Sequence, residues 1–379
     1  MYMEDQELLN QICEERNHTE GTKKVYIMAV KSFVKFHETS LTDIIKKAEE
    51  EEEEGVRWKN RTIRKRLIDY RKYVYKHYLK STATMYFQRI ISILQHVEIE
   101  LHKLPPFSTK NLNQNPPTTF RDIPDKKILK KAIQLADNRI KAIILFSSSS
   151  GCAIKETLTI TIQDFIEATK EYHNNGDIGE ILRDIQSHDN VIPTFQLRRH
   201  KTNRYYYTFC SPEAVTAIIS YLQTSGRNLD FDEPLFKIHR RSLSKFYTNT
   251  NDTLGLGFRG NRRILTSHSV RKYHSTILNN LGIFTESEVH FLQGRARGNL
   301  DEIYLLKDPS KLREKYAQCI DALQINWKYN LITVDSPEVQ RMVIENKKLK
   351  SELSTQSKRL NKIESMINEY TYDEWKEIL

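Results

Sequence analysis

Cysteine is scarce in this chain. Four occur in 379 residues, Cys13, Cys152, Cys210 and Cys319, and none stands at a paired spacing that would hold zinc or frame a set of disulfides. They read as ordinary buried thiols. Nor does any apolar run approach the roughly 20 residues that cross a bilayer. The opening residues, Met1-Tyr2-Met3-Glu4-Asp5-Gln6, are polar and acidic, without the basic and apolar regions of a secretory leader. A cytoplasmic, reducing setting without membrane contact is therefore expected. A glycine-rich phosphate cradle is also missing. Residues 255–260 hold three glycines, yet no strand pattern precedes them, so the segment reads as a loop.

Positive charge, by contrast, is in surplus. Lysine and arginine number 59 against 49 acids, a net charge of +10, and a basic balance of this size favours an anionic partner, nucleic acid foremost. The acids are unevenly spread: residues 49–54 are six consecutive glutamates. Such a run reads as a solvated edge that repels phosphate and points away from it.

Residues 1–103 read as helical almost throughout. Apolar side chains recur at helical spacing over 25–36, with Thr19 or Thr22 as the cap. A helix from Leu41 runs into the glutamates and stops at Gly55. Further helices are expected over about 62–79 and 82–97. The first interleaves Arg61, Arg64, Lys65, Arg66, Arg71, Lys72 and Lys76 with tyrosines and aliphatics, a composition suited to tracking phosphates. Residues 104–119 are rich in proline and asparagine and form the linker. Helical patterns resume over 125–148. Alternation then marks strands at 195–200 and 205–209, flanking a polar turn that carries Lys201. Helices follow over 212–222, 242–248 and 269–281. The tail begins with Ser336-Pro337-Glu338, a capping serine before a first-turn proline. Beyond it Val339, Asn346, Leu353, Leu360 and Ile367 stand seven apart, as do Met342, Leu349, Gln356, Ile363 and Tyr370, a seam of the coiled-coil kind.

The chemistry gathers late in the chain. Tyr304 follows Gly294-Arg295 by nine residues, and Thr266-Ser267-His268-Ser269-Val270-Arg271 lies upstream of both. A phenol, with a pKa of about 10, is a poor nucleophile until a base and cations surround it. Residues three apart on a helix share a face, so His268 and Arg271 can reach one phosphate. Arginine suits that task, since its planar fork binds two oxygens and keeps its charge.

Taken with Lys201 at a hairpin turn and with Gly151-Cys152-Ala153-Ile154-Lys155-Glu156, these residues resemble the tyrosine recombinases, the phage-type integrases. Phe291-Leu292-Gln293-Gly294-Arg295 resembles the family's Leu-Leu-Gly-His element, with Arg295 where histidine or tryptophan usually stands. One member departs from the pattern. The position of the family's first arginine is occupied by Ala153, whose methyl cannot bind phosphate, and losing one such donor costs about 3–4 kcal/mol of transition-state stabilisation. Within the family, integrases of archaeal viruses and plasmids look closest.

The resemblance implies a mainly α fold with a small β-sheet: a helical core-binding domain over 1–103 that clamps DNA, the linker 104–119, a catalytic domain over 120–330, and a C-terminal helix over 336–379 with coiled-coil character. It implies a site-specific recombinase that cuts and rejoins DNA through a 3′-phosphotyrosyl link to Tyr304. Arg271, His268 and Arg295 would hold the phosphate, Lys201 would be the acid, and His268 could assist as base. No cofactor or metal is implied. The partners would be double-stranded DNA attachment sites and further copies of the chain, as a tetramer on paired sites, beside the host nucleoid. With Ala153 in place, activity is expected to be impaired, and the alternative is a catalytically silent recombinase-like protein that binds DNA or regulates. A third reading is an oligomeric scaffold built on the coiled coil.

Overall fold

The computed structural model describes residues 2–110, 116–117, 119–174, 176–201, 203–295 and 308–325, with single residues and short runs of the tail between 348 and 360. Tyr304 lies outside the described residues, as does most of the heptad seam. The described chain is mainly helical with two short antiparallel hairpins, and it divides into two compact units, Met1–Pro117 and Thr118–Leu379.

Among its described residues the first unit holds five α-helices, α1 (Met3–Glu15), α2 (Glu20–His37), α3 (Leu41–Glu53), α4 (Thr62–His77) and α5 (Lys80–His96). Thr19 caps α2 by accepting from the Thr22 N–H, and α3 ends just before Gly55, which takes the left-handed φ of +69°. The apolar stripes close on Leu9, Phe33, Leu67, Tyr70 and Ile90, all fully buried. On α4 the exposed lysines are Lys65, Lys72 and Lys76, spaced so as to share the outer face.

Two expectations fail here. The glutamate run is not wholly solvated, because α4 begins beside it and exposes N–H groups that need acceptors. Glu51 is buried and accepts from the Thr62 N–H at 2.8 Å, while Glu52 pairs with Arg61 at 2.7 Å and accepts from the Glu100 N–H at 2.9 Å. Arg61 accordingly faces inward rather than toward phosphate. It is buried, donates to the Val56 carbonyl and pairs with Glu100 as well.

The second unit is built around α7 (Asn138–Ser150), which is preceded by α6 (Lys126–Gln134) and buried along most of its length. Asp125 and Asp137 cap these two helices. Then come α8 (Ile154–Thr157), α9 (Ile162–Ala168), α10 (Ile178–Gln186), the hairpin of β1 (Thr194–Arg199) and β2 (Arg204–Phe209), α11 (Pro212–Thr224) and α12 (Arg240–Thr253). Both α11 and the later α13 (Ser267–Leu281) pack on α7. The hairpin register pairs Phe195 with Thr208, Leu197 with Tyr206 and Arg199 with Arg204. Phe195 and Leu197 are buried while Gln196 and Arg198 are exposed, the alternation expected of a strand with one covered face.

A second hairpin replaces the loop expected around residues 255–260. There β3 (Phe258–Arg259) pairs with β4 (Arg262–Arg263) across Gly260. Two-residue strands are too short to show alternation, so periodicity could not reveal them. After α13 come α14 (Glu286–Leu292) and the helices Pro309–Ala317 and Ile320–Leu323. All four cysteines are buried and unpaired.

Candidate active site

The start of α13 sets the site. Thr266 caps it in a reciprocal box with Ser269, which fixes the direction of the first turn. His268 and Arg271 follow at their three-residue spacing and differ in burial. Arg271 is 4% exposed, and its guanidinium donates to the Gly151 carbonyl at 2.7 Å and to the Gln293 carbonyl. Burial first, then the charge of Arg199, lower its pKa to about 10, so it stays a cation at neutral pH. His268 is solvent-exposed. Even so, partial burial and the charges of Lys272, Arg271, Arg295 and Arg262 hold its imidazole below the usual range. It is therefore neutral at pH 7 and available as a proton acceptor.

Two glycines make the site's framework. Gly151 ends α7 with φ +65°, and a Cβ there would stand 2.4 Å from Nδ1 of His274. Gly294 ends α14 with φ +59°, and a Cβ there would meet the Tyr206 ring at 2.9 Å and Cδ of Arg199 at 3.2 Å. Between them lies Gln293, fully buried, whose side-chain amide donates to the Arg271 carbonyl at 3.0 Å and approaches Nδ1 of His274 at 3.1 Å. Burial, with Arg271 and Arg295 nearby, drives the His274 pKa down to about 3, so this histidine is a neutral part of the scaffold.

Of the residues singled out in the sequence, the structure brings Arg271, His268 and Arg295 together. Arg295 makes itself felt on both of the others and on Lys272. Ala153 stands at the opening of α8, half-buried, with no side-chain cap to offer that helix. Lys201 is exposed in the turn between β1 and β2, outside the buried cluster. Tyr304 is the member whose place is not described.

Further cations near the cluster escaped the sequence reading. Lys272 is half-buried, and burial followed by Arg259, Arg262 and Arg295 lowers its pKa. Arg262 comes from the short second hairpin. Arg199 ends β1, where its guanidinium lies 3.5 Å from the carboxylate of buried Glu156. A signal for Arg199 existed in the alternation of Phe195 and Leu197, which puts residue 199 on the same face.

No protein-family model and no curated protein matches the chain. Solved structures do match. XerA recombinase shows a TM-score of 0.34 and 17% identity over 83% of this chain and 97% of its own. XerH site-specific recombinase, in a pre-cleavage complex with its difH substrate, shows 0.47 and 14% over 81% and 82%. Tn1549 transposon integrase, in complex with circular intermediate DNA, shows 0.46 and 12% over 82% and 99%. The chain is thus similar, distantly and over about four-fifths of its length, to recombinases and integrases.

Proposed function

We propose that this protein is a site-specific DNA recombinase or integrase that cuts and rejoins duplex DNA through a 3′-phosphotyrosyl intermediate on Tyr304. The observation that supports it is Arg271: a buried, charged guanidinium anchored to two carbonyls, one turn after a neutral histidine and beside Arg295. Fixed cations at the start of a helix stabilise charge that develops on a phosphate without reorganising. In the proposed reaction the Tyr304 oxygen bonds to phosphorus while the bond to the 5′ oxygen breaks. His268 takes the phenolic proton, and Lys201 donates one to the departing oxygen. The ester energy is retained, so the reverse attack by a 5′-hydroxyl rejoins the strand.

Double-stranded attachment sites are the proposed partners. A tetramer on paired sites is the proposed assembly, with residues 336–379 joining subunits, and the DNA-containing cytoplasm the proposed setting. Ala153 supports a second reading, in which the same surface binds DNA without cutting it.

A pool of nicked duplexes with randomised cores separates the two. The protein is mixed with the pool, denatured in detergent, and any DNA still attached is recovered and sequenced. The recombinase reading expects an adduct that mass spectrometry places on Tyr304 and that Tyr304→Phe abolishes without loss of DNA binding. DNA binding with no adduct would establish the silent reading, and an adduct on another tyrosine would overturn the assignment of the nucleophile.

A further inference from the structure

We propose that Arg199 is a second phosphate-binding guanidinium of this site and occupies functionally the place left empty by Ala153. The inference rests on the reading of the Arg271 cluster as a phosphate site, and it begins with strand geometry. Side chains two apart on a strand share a face. Phe195 and Leu197 are buried in the core, so Arg199 follows them inward rather than joining exposed Arg198. Its side chain is only 16% exposed.

The position of its head group is then fixed from two sides. Glu156 lies in the single turn α8 that Ala153 opens as N-cap, and the Glu156 carboxylate holds the Arg199 guanidinium at 3.5 Å. On the other side, the stem of Arg199 lies against Gly294, where any side chain would crowd it. Arg271 is tied to the same two segments, through the carbonyls of Gly151 and Gln293. Two arginines from different elements thus meet the same two segments, 151–156 and 293–294, the first of which carries Ala153.

Electrostatics gives that convergence its meaning. Like charges in a desolvated place repel unless an anion lies between them, and Arg199 is the largest charge acting against the Arg271 cation. Glu156 neutralises one of the two positive charges. A tetrahedral oxyanion with oxygens to share would satisfy both forks at once. The bland alternative is that Arg199 serves only to neutralise Glu156.

Tungstate, a tetrahedral oxyanion, tests the site without requiring cleavage. Its binding to the full chain is measured by calorimetry, with circular dichroism and thermal melts confirming that each variant folds. Because Arg199→Ala alone would strand a buried carboxylate, the informative variant is Arg199→Ala with Glu156→Gln. We expect it to weaken tungstate binding by about tenfold or more, the worth of a charge-assisted pair. Arg198→Ala should leave binding unchanged. Glu156→Gln alone should tighten it, since the guanidinium is released from its competitor, a result that a purely structural role does not produce. Adding Ala153→Arg to the double variant should restore binding. Undiminished affinity in the folded double variant, or no saturable binding by the wild type, would overturn the proposal. The two readings fail separately. Tungstate binding by the wild type that the double variant loses, with no Tyr304 adduct formed by the wild type, would keep Arg199 and remove the recombinase. An adduct formed in full yield by the double variant would do the reverse.

Discussion

Replacing Gly151 by alanine should destabilise the second unit by about 2–5 kcal/mol, and the structure divides that figure into two parts. The first is conformational: φ is +65°, where a Cβ costs about 1–2 kcal/mol. The second is steric. The new carbon would stand 2.4 Å from Nδ1 and 2.8 Å from Cγ of His274, and also 2.9 Å from Nε2 of Gln293. Both side chains are fully buried and hydrogen-bonded to each other, so neither can swing clear, and overpacking of this kind costs about 1–3 kcal/mol. Gly226 supplies an internal control. It has φ +64° with nothing within 4 Å of its would-be Cβ, so Gly226→Ala should pay the conformational part alone. Urea unfolding of both variants measures the difference, expected to be at least about 1 kcal/mol. Equal losses, within about 0.5 kcal/mol, would refute the close approach of His274 to the Gly151 turn. Because the Gly151 carbonyl anchors Arg271, the same variant should also weaken oxyanion binding.

Acidification should destabilise the protein well above the range where ordinary carboxylates titrate. Burial holds the pKa of His274 at about 3, against about 6.5 in an unfolded chain. Between those values the unfolded state binds a proton that the folded state refuses, so stability falls as pH falls. By pH 5 His274 alone should cost about 2 kcal/mol, and urea midpoints that stay flat from pH 7 to 5 would contradict this. In the first unit, Arg61→Ala should destabilise by about 2–4 kcal/mol, because the Val56 carbonyl loses its side-chain donor and Glu52 keeps only the Glu100 N–H against its charge. Lys72→Ala on the outer face of α4 should instead change stability by less than about 0.5 kcal/mol while weakening DNA binding, which paired melts and filter binding would reveal. Deleting residues 336–379 should weaken assembly on paired sites more than binding to a half-site, and unchanged light scattering with and without DNA would oppose that role for the tail.

Most of the secondary structure was legible in the sequence because its signals are local. Helical spacing of apolar residues located α2, α4 and α13, and Thr19 was one of the two caps expected for α2. Alternation located β1 and β2 and put Lys201 in the turn between them. The three-residue spacing of His268 and Arg271 likewise required only a helix to bring them to one end of it. The short hairpin of β3 and β4 carried no such period, and it went unread.

Partner choice was decided by the tertiary structure alone. Sequence gave no reason to separate Arg61 from the lysines of α4, or Glu51 and Glu52 from the other glutamates of the run. Only the meeting of the α3 end with the α4 start turned them inward. The anchor of Arg271 lies 120 residues away at Gly151, and the partner of Arg199 lies 43 residues away at Glu156. A hydrophobic pattern says which face of an element is covered. It does not say which other element covers it, and a charged side chain takes its meaning from whatever arrives there.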